Sequence, residues 1–154
     1  SAVTDASGKY NFSGLKAGNY TLREVLQQGW TQTKAPSMVT ISSGTISENK
    51  DFSNFKLGEI NGIKFEDSNS NGIKDANETG LANWTIKLTG PITSLTVTDS
   101  SGIYSFVNLT PGIYNISEVQ QVGWHQIIPN GVYIVNITSG FVAPGKDFGN
   151  FRSI

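Results

Sequence analysis

Residues 67–78, DSNSNGIKDANE, concentrate oxygen-bearing side chains in a chain that otherwise alternates short apolar runs with turns. The stretch fits the calcium-loop pattern D-x-[DN]-x-[DN]-G-x₅-E at every position. Ca²⁺ takes roughly six to eight hard oxygen ligands in a flexible shell, and such a loop can provide them. A solvated turn is the alternative interpretation, because Asp and Asn-Gly are common in turns. The full match favours a calcium site.

Each candidate ligand has a defined place in this loop. The predicted calcium ligands are Asp67, Asn69, Asn71, the backbone carbonyl of Ile73, Asp75 and Glu78. Gly72 permits the sharp turn at the centre. Zinc would need His or Cys ligands, and the chain has one His and no Cys. Because strands rather than helices are predicted on both sides, we expect a structural ion rather than an EF-hand sensor.

An internal repeat organises the chain that carries this loop. Residues 3–32 recur as residues 97–126, and KDFSNF at 50–55 recurs as KDFGNF at 146–151. The two copies share their Gly, Tyr, Phe, Glu and Trp positions. A repeat of this kind predicts two domains of one fold rather than a single large domain.

The complete copy consists of short runs rich in β-branched and aromatic residues. Seven such runs, bounded by Gly, Pro, Asn or Asp, extend from INGIKFE at 60–66 to KDFGNF at 146–151. Seven short strands without helical periodicity predict an antiparallel β-sandwich of the Ig-like or prealbumin-like kind. The predicted fold class is therefore all-β, with tandem antiparallel β-sandwich repeats of which the first is incomplete at its N-terminal end.

The two copies differ in what they contain. Residues 59–154 form a predicted complete repeat with the calcium loop, and residues 1–58 form the C-terminal two-thirds of one. A sheet that lacks its first strand exposes an unpaired edge, which invites pairing with another chain. We expect either preceding residues of a longer array or the segment of an identical subunit to complete the first copy. The chain should then self-associate or have a loose first half.

A glutamate is predicted to point inward in each copy. In GIYNISEV, strand alternation places Tyr114, Ile116 and Glu118 on one face, and the first copy repeats this spacing. An inward carboxylate needs a partner or a raised pKa. Lys64 on the first strand and Asn150 on the last strand are the candidate partners.

Four of these segments together resemble a known family. GIKFEDSNSNG, SGIYSF, PGIYNISEVQQVGW and KDFGNF are similar to SdrD-type B repeats and the wider Cna B-type, transthyretin-like domains of bacterial and archaeal surface proteins. The resemblance implies secreted, tandem, stalk-like modules with structural calcium. Many Cna B-type relatives also carry a Lys–Asn isopeptide bond promoted by a Glu, and Lys64, Asn150 and Glu118 match those roles by position. A buried Lys–Glu pair beside a hydrogen-bonded Asn is the alternative.

Composition argues against several function classes. A net charge of −1 gives no electrostatic footprint for nucleic acid or an anionic membrane. No apolar run approaches the roughly 20 residues of a membrane span. The single histidine, His125, has no Ser or Asp placed to form a catalytic triad, and the absence of Cys excludes a thiolate nucleophile. We therefore do not expect an enzyme.

Sequons of the form Asn-x-Ser/Thr are more frequent than chance predicts. The glycosylation candidates are Asn11, Asn19, Asn83, Asn108, Asn115 and Asn136. Asn77 is a seventh sequon, but its place inside the calcium loop makes it the least accessible. Asn11 and Asn115 lie between inward residues, so they should face solvent.

Together these features predict an extracellular structural repeat, rigidified by calcium, in a cell-surface or fibre- or sheath-forming protein. Its partners would be neighbouring repeats or identical subunits. The alternative is an adhesin or carbohydrate-binding module at the cell surface or cell wall, with surface glycans or a host matrix protein as partner. An exposed aromatic patch including Trp30, Trp84 or Trp124 would favour that alternative, whereas core packing is the simpler role for these residues.

Overall fold

A computed structural model of the chain describes residues 1–153, which contain thirteen strands and no helix. The all-β prediction is therefore confirmed. Two compact units form: unit 1 comprises residues 1–27 and 32–54, and unit 2 comprises residues 28–31 and those from 55 onward. The domain boundary between residues 58 and 59 stays a prediction. Within the described residues, no helix has the length and apolar character that crossing a membrane requires.

Four short strands precede the long first strand of unit 2. They are β1 (Gly18–Tyr20), β2 (Trp30–Lys34), β3 (Val39–Ile41) and β4 (Ser53–Lys56). β1 pairs antiparallel with β3, and β2 pairs with β4 in another two-stranded sheet. These are the same pairings that the corresponding segments of the second copy make.

Unit 2 is a sandwich of two sheets. Its strands are β5 (Gly58–Glu66), β6 (Thr85–Thr89), β7 (Ser94–Val97), β8 (Ile103–Leu109), β9 (Gly112–Glu118), β10 (Trp124–Ile128), β11 (Tyr133–Ile137), β12 (Val142–Ala143) and β13 (Phe148–Arg152). One sheet has the order β10-β13-β5-β12, with β8 also on β5, and the other has the order β11-β9-β6-β7.

The sandwich departs from the antiparallel prediction at β5. This strand pairs antiparallel with β8 but parallel with both β12 and β13. The last strand thus runs beside the first in the same direction. Strand periodicity cannot predict this pairing, because side chains alternate in the same way in parallel and antiparallel strands.

The core of unit 2 lies between the inner faces of the two sheets. Alternation in β8 and β9 buries Tyr104 and Phe106 on one sheet and Tyr114 and Ile116 on the other, each at most 4% exposed. Trp84 is 2% exposed and contacts the Trp124 ring edge-on at a centroid distance of 5.5 Å. These two tryptophans therefore anchor the core. Burial of large aromatic side chains supplies much of the hydrophobic stabilisation of a small sandwich.

Gly62 lies where β5 passes the hydrogen bond between Tyr104 and Lys146, and a larger residue does not fit there. A Cβ atom at this position would lie 2.3 Å from the carbonyl oxygen of Lys146 and 3.0 Å from the Tyr104 ring. The Tyr104 hydroxyl donates a hydrogen bond to that same carbonyl at 2.5 Å. Any side chain at position 62 would therefore push β5 away from the backbone at Lys146, which precedes β13.

Candidate functional site

The three predicted polar residues form one cluster inside unit 2. Lys64 lies on β5, Glu118 ends β9 and Asn150 lies on β13. Lys64 Nζ donates to Glu118 Oε2 at 2.6 Å, and Asn150 Nδ2 donates to Glu118 Oε1 at 2.6 Å. Each carboxylate oxygen therefore has its own donor, and the cluster joins the two sheets of the sandwich.

Strand register accounts for the burial of this cluster. The parallel pairing of β5 and β13 sets Phe148 opposite Lys64, so Asn150 follows two residues later on the same inner face. In the facing sheet, Glu118 pairs with the buried Ile86. The Lys64 and Asn150 side chains are fully buried, and that of Glu118 is 1% exposed. The prediction of an inward glutamate between the first and last strands is confirmed.

Burial changes the proton affinity of the lysine. Desolvation lowers the pKa of Lys64 from 10.5 to about 8, although the hydrogen bond and charge of Glu118 act in the opposite direction. Lys64 Nζ also lies 4.3 Å from the centroid of the Trp84 ring, a contact that sequence reasoning did not find. A substantial fraction of this amine is therefore neutral in mildly alkaline solution.

The amide of Asn150 is satisfied on one side only. Its Nδ2 is bound to the Glu118 carboxylate, whereas its buried Oδ1 has no hydrogen-bond partner among the described residues. A lysine amine whose pKa is lowered by burial and a carboxamide thus share one carboxylate in the buried core. This arrangement has the groups for acyl transfer: a nucleophile, an acyl group and a carboxylate that can carry a proton between them.

The predicted calcium loop is folded around its first carboxylate. Asp67 is fully buried, and its Oδ1 and Oδ2 accept the backbone N–H groups of Asn71 at 3.0 Å and Gly72 at 2.8 Å. Gly72 has φ +76°, in the left-handed region that glycine adopts without strain. The turn expected at the sixth loop position is therefore present.

The remaining loop side chains also turn toward one another. The amides of Asn69 and Asn71 donate to Asp75 Oδ2 at 2.8 and 2.9 Å. Glu78 is 6% exposed, and its Oε2 accepts the backbone N–H of Asp75 at 3.1 Å. The side chain of Ile73 is exposed, as suits a position that would contribute only its carbonyl. Contacts within the loop thus link the third, fifth, ninth and twelfth positions.

The loop oxygens suit a hard cation, but the loop needs adjustment to enclose one. Across residues 1–153, no three His, Cys, Asp or Glu side chains come together as a group that could hold a metal ion. Two of the predicted ligands, Asn69 and Asn71, are amides that turn their nitrogens toward Asp75. Rotating these amides would present oxygen instead, which gives a carboxylate and amide donor set typical of Ca²⁺ sites.

Unit 1 repeats the cluster without its lysine. Asn54 Nδ2 donates to Glu24 Oε2 at 2.7 Å, as the matching asparagine does in unit 2. The other oxygen, Glu24 Oε1, accepts from Gln32 Nε2 at 2.6 Å. The sequence repeat did not reveal this role of Gln32; its counterpart Gln126 instead donates to two carbonyls of the β10–β11 turn.

The other sequence candidates lie on the surface or have packing roles. His125 stacks on Phe151 at a centroid distance of 5.1 Å. All seven sequon asparagines are exposed, as expected for Asn11 and Asn115; the others are Asn19, Asn77, Asn83, Asn108 and Asn136. Exposure makes these residues accessible for modification, and their glycosylation stays a prediction.

Two family models of known protein domains match this chain. Residues 55–132 match the family model of the SdrD B-like domain, and residues 1–56 match that of the SpaA prealbumin-like fold domain. This chain belongs to the SdrD B-like domain family. The resemblance inferred from the repeat motifs is therefore confirmed.

The relatives are far longer than this chain. Serine-aspartate repeat-containing protein F of Staphylococcus epidermidis (strain ATCC 12228 / FDA PCI 1200) is 34% identical over 145 residues, which cover 83% of this chain and 9% of that protein. Bone sialoprotein-binding protein of Staphylococcus aureus (strain MRSA252) is 32% identical over 171 residues, covering 98% of this chain and 15% of that protein. This SdrD B-like chain thus spans a small part of each relative.

Two solved pilin structures are similar to this chain at low sequence identity. The minor pilin GBS52 of Streptococcus agalactiae is 17% identical, with 99% of this chain and 68% of that chain covered and a TM-score of 0.48. The major pilin SpaD of Corynebacterium diphtheriae is 15% identical, with 62% and 32% covered and a TM-score of 0.47.

Family membership establishes the broad setting of the chain. The SdrD B-like and prealbumin-like families are repeat domains of surface proteins, so this chain is an extracellular domain at the cell surface. Such domains have structural or adhesive roles and are not enzymes.

Proposed function

We propose that this chain is a structural repeat that projects or spaces parts of a cell-surface or fibre-forming protein. The observation that carries this proposal is the buried cluster of Lys64, Glu118 and Asn150, which links the first and last long strands of unit 2. Tension applied along the chain enters a unit through those two strands. A buried ion pair seldom makes a fold more stable than apolar residues of similar volume would. A mechanical role therefore explains the presence of this cluster better than a contribution to stability does.

The cluster would act by forming a covalent cross-link. Neutral Lys64 Nζ attacks the side-chain carbonyl carbon of Asn150, and Glu118 carries a proton from the attacking amine to the departing amide nitrogen. One ammonia leaves, and an amide bond between the two side chains remains. The hydrogen bonds from both reacting residues to one carboxylate support this role for Glu118.

Intact-mass spectrometry of unglycosylated protein tests the cross-link directly. The wild-type chain should have the mass of its sequence less one ammonia, and Glu118→Ala should retain the full sequence mass. Glu24→Ala is the matched control in unit 1 and should keep the loss. A wild-type mass equal to the sequence mass would show that the cluster is only a polar contact.

A variant that cannot cross-link should reveal the titration of the lysine. In Asn150→Ala the Lys64 amine stays free, with its pKa lowered by burial from 10.5 to about 8. Between these pH values the unfolded state binds more protons, so stability should rise with pH by at most about 1.4 kcal/mol per unit. Denaturant unfolding at several pH values, compared with Asn150→Ala plus Lys64→Met, measures the difference. Equal pH profiles for the two variants would contradict the shift.

Calcium would rigidify the same end of the unit. The predicted loop begins directly after β5, and the backbone N–H of Asp67 donates to the carbonyl of Asn150 at 2.8 Å. An ion held by residues 67–78 would therefore fix the segment that follows Lys64 and contacts Asn150. The oxygen-rich composition of the loop and the burial of Asp67 support Ca²⁺ as the cofactor.

An adhesive role is the second candidate function. The outer face of the sheet β11-β9-β6-β7 exposes Ile113, Ile134 and Leu95, which a partner protein could cover. One relative is named for binding bone sialoprotein, which makes a host matrix protein a reasonable partner to test. Surface plasmon resonance with bone sialoprotein should show binding that Ile134→Lys weakens. A lack of binding by the wild-type chain would count against the adhesive role and favour the structural one.

A further inference from the structure

We propose that Trp84 is a positioning residue, whose indole face holds the Lys64 amine against Glu118 and Asn150. Its effect on the cross-linking rate rests on the proposed function, whereas the contact itself can be measured in a variant that does not cross-link. In the proposed reaction, Lys64 Nζ bonds to the side-chain carbonyl carbon of Asn150 and ammonia leaves. Trp84 forms no bond to the reacting atoms and acts only by fixing the place of the amine.

The Lys64 amine has one polar contact and one aromatic contact. Its Nζ donates to Glu118 Oε2 at 2.6 Å, and it has no other hydrogen-bond acceptor among residues 1–153. The same atom lies over the Trp84 ring, 4.3 Å from the centroid, which is close enough for a cation to be attracted to the electron-rich face of an indole. The ring and the carboxylate together therefore restrict where Nζ can lie.

One buried threonine fixes the backbone of Trp84, which directly precedes β6. The Trp84 N–H donates to Thr98 Oγ1 at 2.9 Å, and the Trp84 carbonyl accepts the Thr98 N–H at 2.9 Å. Thr98 is 3% exposed, and its hydroxyl donates to the carbonyl of Leu81 at 2.7 Å. The backbone at Trp84 therefore cannot shift without losing these buried hydrogen bonds.

Aromatic packing also fixes the indole ring. Trp124 contacts the Trp84 ring at a centroid distance of 5.5 Å and an interplanar angle of 86°, and the Arg152 guanidinium lies over the Trp124 ring at 4.9 Å. A continuous chain of contacts therefore runs from Lys64 through the two rings to Arg152. Because Trp84 is 2% exposed in a close-packed core, its ring has little room to turn away from the lysine.

The indole N–H of Trp84 does not determine how the ring is oriented. Its Nε1 is buried and has no hydrogen-bond partner among residues 1–153, although the N–H of a buried tryptophan usually finds one. An unpaired buried donor is unfavourable. A side chain that only filled the core could be aliphatic and would avoid this cost. The contact of the ring face with Lys64 therefore explains this tryptophan better than core filling does.

A lysine amine that is held in place should react faster than one that moves freely. The lysine side chain has many rotamers, and restricting them before the reaction removes an entropic cost from the barrier. The amine and the Asn150 amide already share the two oxygens of Glu118, so the ring needs only to keep Nζ on that carboxylate. Leucine at position 84 would also be apolar, but it would not attract the cation.

The rate of cross-linking after cell-free synthesis of the full chain tests this role. Intact-mass spectrometry at successive times follows the loss of one ammonia. Trp84→Leu should slow this loss at least about tenfold, whereas Trp84→Phe, which keeps an aromatic face, should stay within about threefold of wild type. Phe106→Leu is the matched control and should react at the wild-type rate, because it also replaces a buried ring but lies opposite Ile60 rather than Lys64.

Nuclear magnetic resonance of Asn150→Ala measures the contact without the reaction. In this variant the ring current of Trp84 should shift the ε protons of Lys64 upfield, relative to those of the exposed Lys87 on β6. Trp84→Leu in the same background should abolish the shift, and Trp84→Phe should retain part of it. The spectrum of Asn150→Ala plus Lys64→Met identifies the signal.

The two measurements distinguish failure of this inference from failure of the cross-link. A wild-type chain that keeps its full sequence mass would exclude the cross-link, and the ring-current shift would then decide alone whether Trp84 holds the amine. Absence of that shift in Asn150→Ala would overturn the inference, as would a wild-type rate in Trp84→Leu. Slowing by Trp84→Phe or Phe106→Leu equal to that by Trp84→Leu would also overturn it, because the ring face would then not be the cause.

Discussion

Residues 9–15 and residues 103–109 are corresponding segments of the repeat, but only the second segment forms a strand. Phe12 is 39% exposed, whereas its counterpart Phe106 is 4% exposed. The segments differ in their surroundings, because residues 103–109 pair with β5 and residues 9–15 have no such partner among the described residues. Strand formation here depends on the neighbouring strand more than on local propensity.

Features encoded by neighbouring residues are the same in both copies. Asp5 Oδ1 accepts two backbone N–H groups of its own turn, and Asp99 Oδ1 does the same. The Tyr20 hydroxyl donates to the carbonyl four residues before it, as does that of Tyr114. The comparison thus separates contacts that a short segment makes alone from contacts that need a neighbouring strand.

Truncation of the paired phenylalanines should give the largest contrast between the units. Phe106→Ala should destabilise unit 2 by about 3–5 kcal/mol, because it removes a buried ring and leaves a cavity. Phe12→Ala should cost less than about 1 kcal/mol, because that ring is already partly hydrated. Amide exchange in β9 and in β1 reports the two units separately. Similar losses in both would mean that the core of unit 1 is closed in solution.

Removal of the two glutamates should give the next contrast. In the Asn150→Ala background, which cannot cross-link and serves as the reference for every variant of this pair, Glu118→Ala leaves Lys64 buried without its partner, which should cost about 3–5 kcal/mol in denaturant unfolding. Glu24→Ala should cost less than about 1 kcal/mol, because water can replace its contacts with exposed amides. The double variant Lys64→Met, Glu118→Leu should recover most of the larger loss. If the double variant does not regain this stability, the loss comes from packing rather than from the unpaired charge.

Chelation of calcium should affect only one unit. A site filled at about 100 times its Kd stabilises the folded state by about 2.7 kcal/mol, so a chelator should lower the Tm of unit 2. Exchange of the unit 1 amides should not change, because that copy has no such loop. The double variant Asp75→Ala, Glu78→Ala should not respond. Identical melting of calcium-loaded protein with and without chelator would rule out the site.

Substitution of the turn aspartates should give the smallest effects, and these should be equal. Asp5→Ala and Asp99→Ala each remove two exposed backbone hydrogen bonds within one turn, so each should cost about 1 kcal/mol in its own unit. Amide exchange at Ser7 and Ser101 measures both. A much larger cost for Asp99 would show that this turn also depends on tertiary contacts.

Much of the candidate site follows from strand alternation and the repeat. Period-two spacing predicts that Glu118 points inward with Tyr114, and that Asn150 shares a face with Phe148. Short polar segments specify local turns, which is why the Gly72 turn and the contacts of Asp67 agree with the predicted loop. The contact of Gln32 with Glu24 and that of the Trp84 ring with Lys64 could not be foreseen, because each joins separate segments whose approach is set by the fold.

By itself the sequence determined the strand segments, the turns, the repeat and the line of residues that face inward, since each depends on spacing along a few residues. Tertiary structure decided the parallel pairing of β5 with β13, the depth at which Lys64 is buried and the use of Gln32 in unit 1. It also decided which copy of a repeated segment becomes a strand. Backbone hydrogen bonds in a sheet join different strands, so a strand forms only where another strand supplies the partner groups.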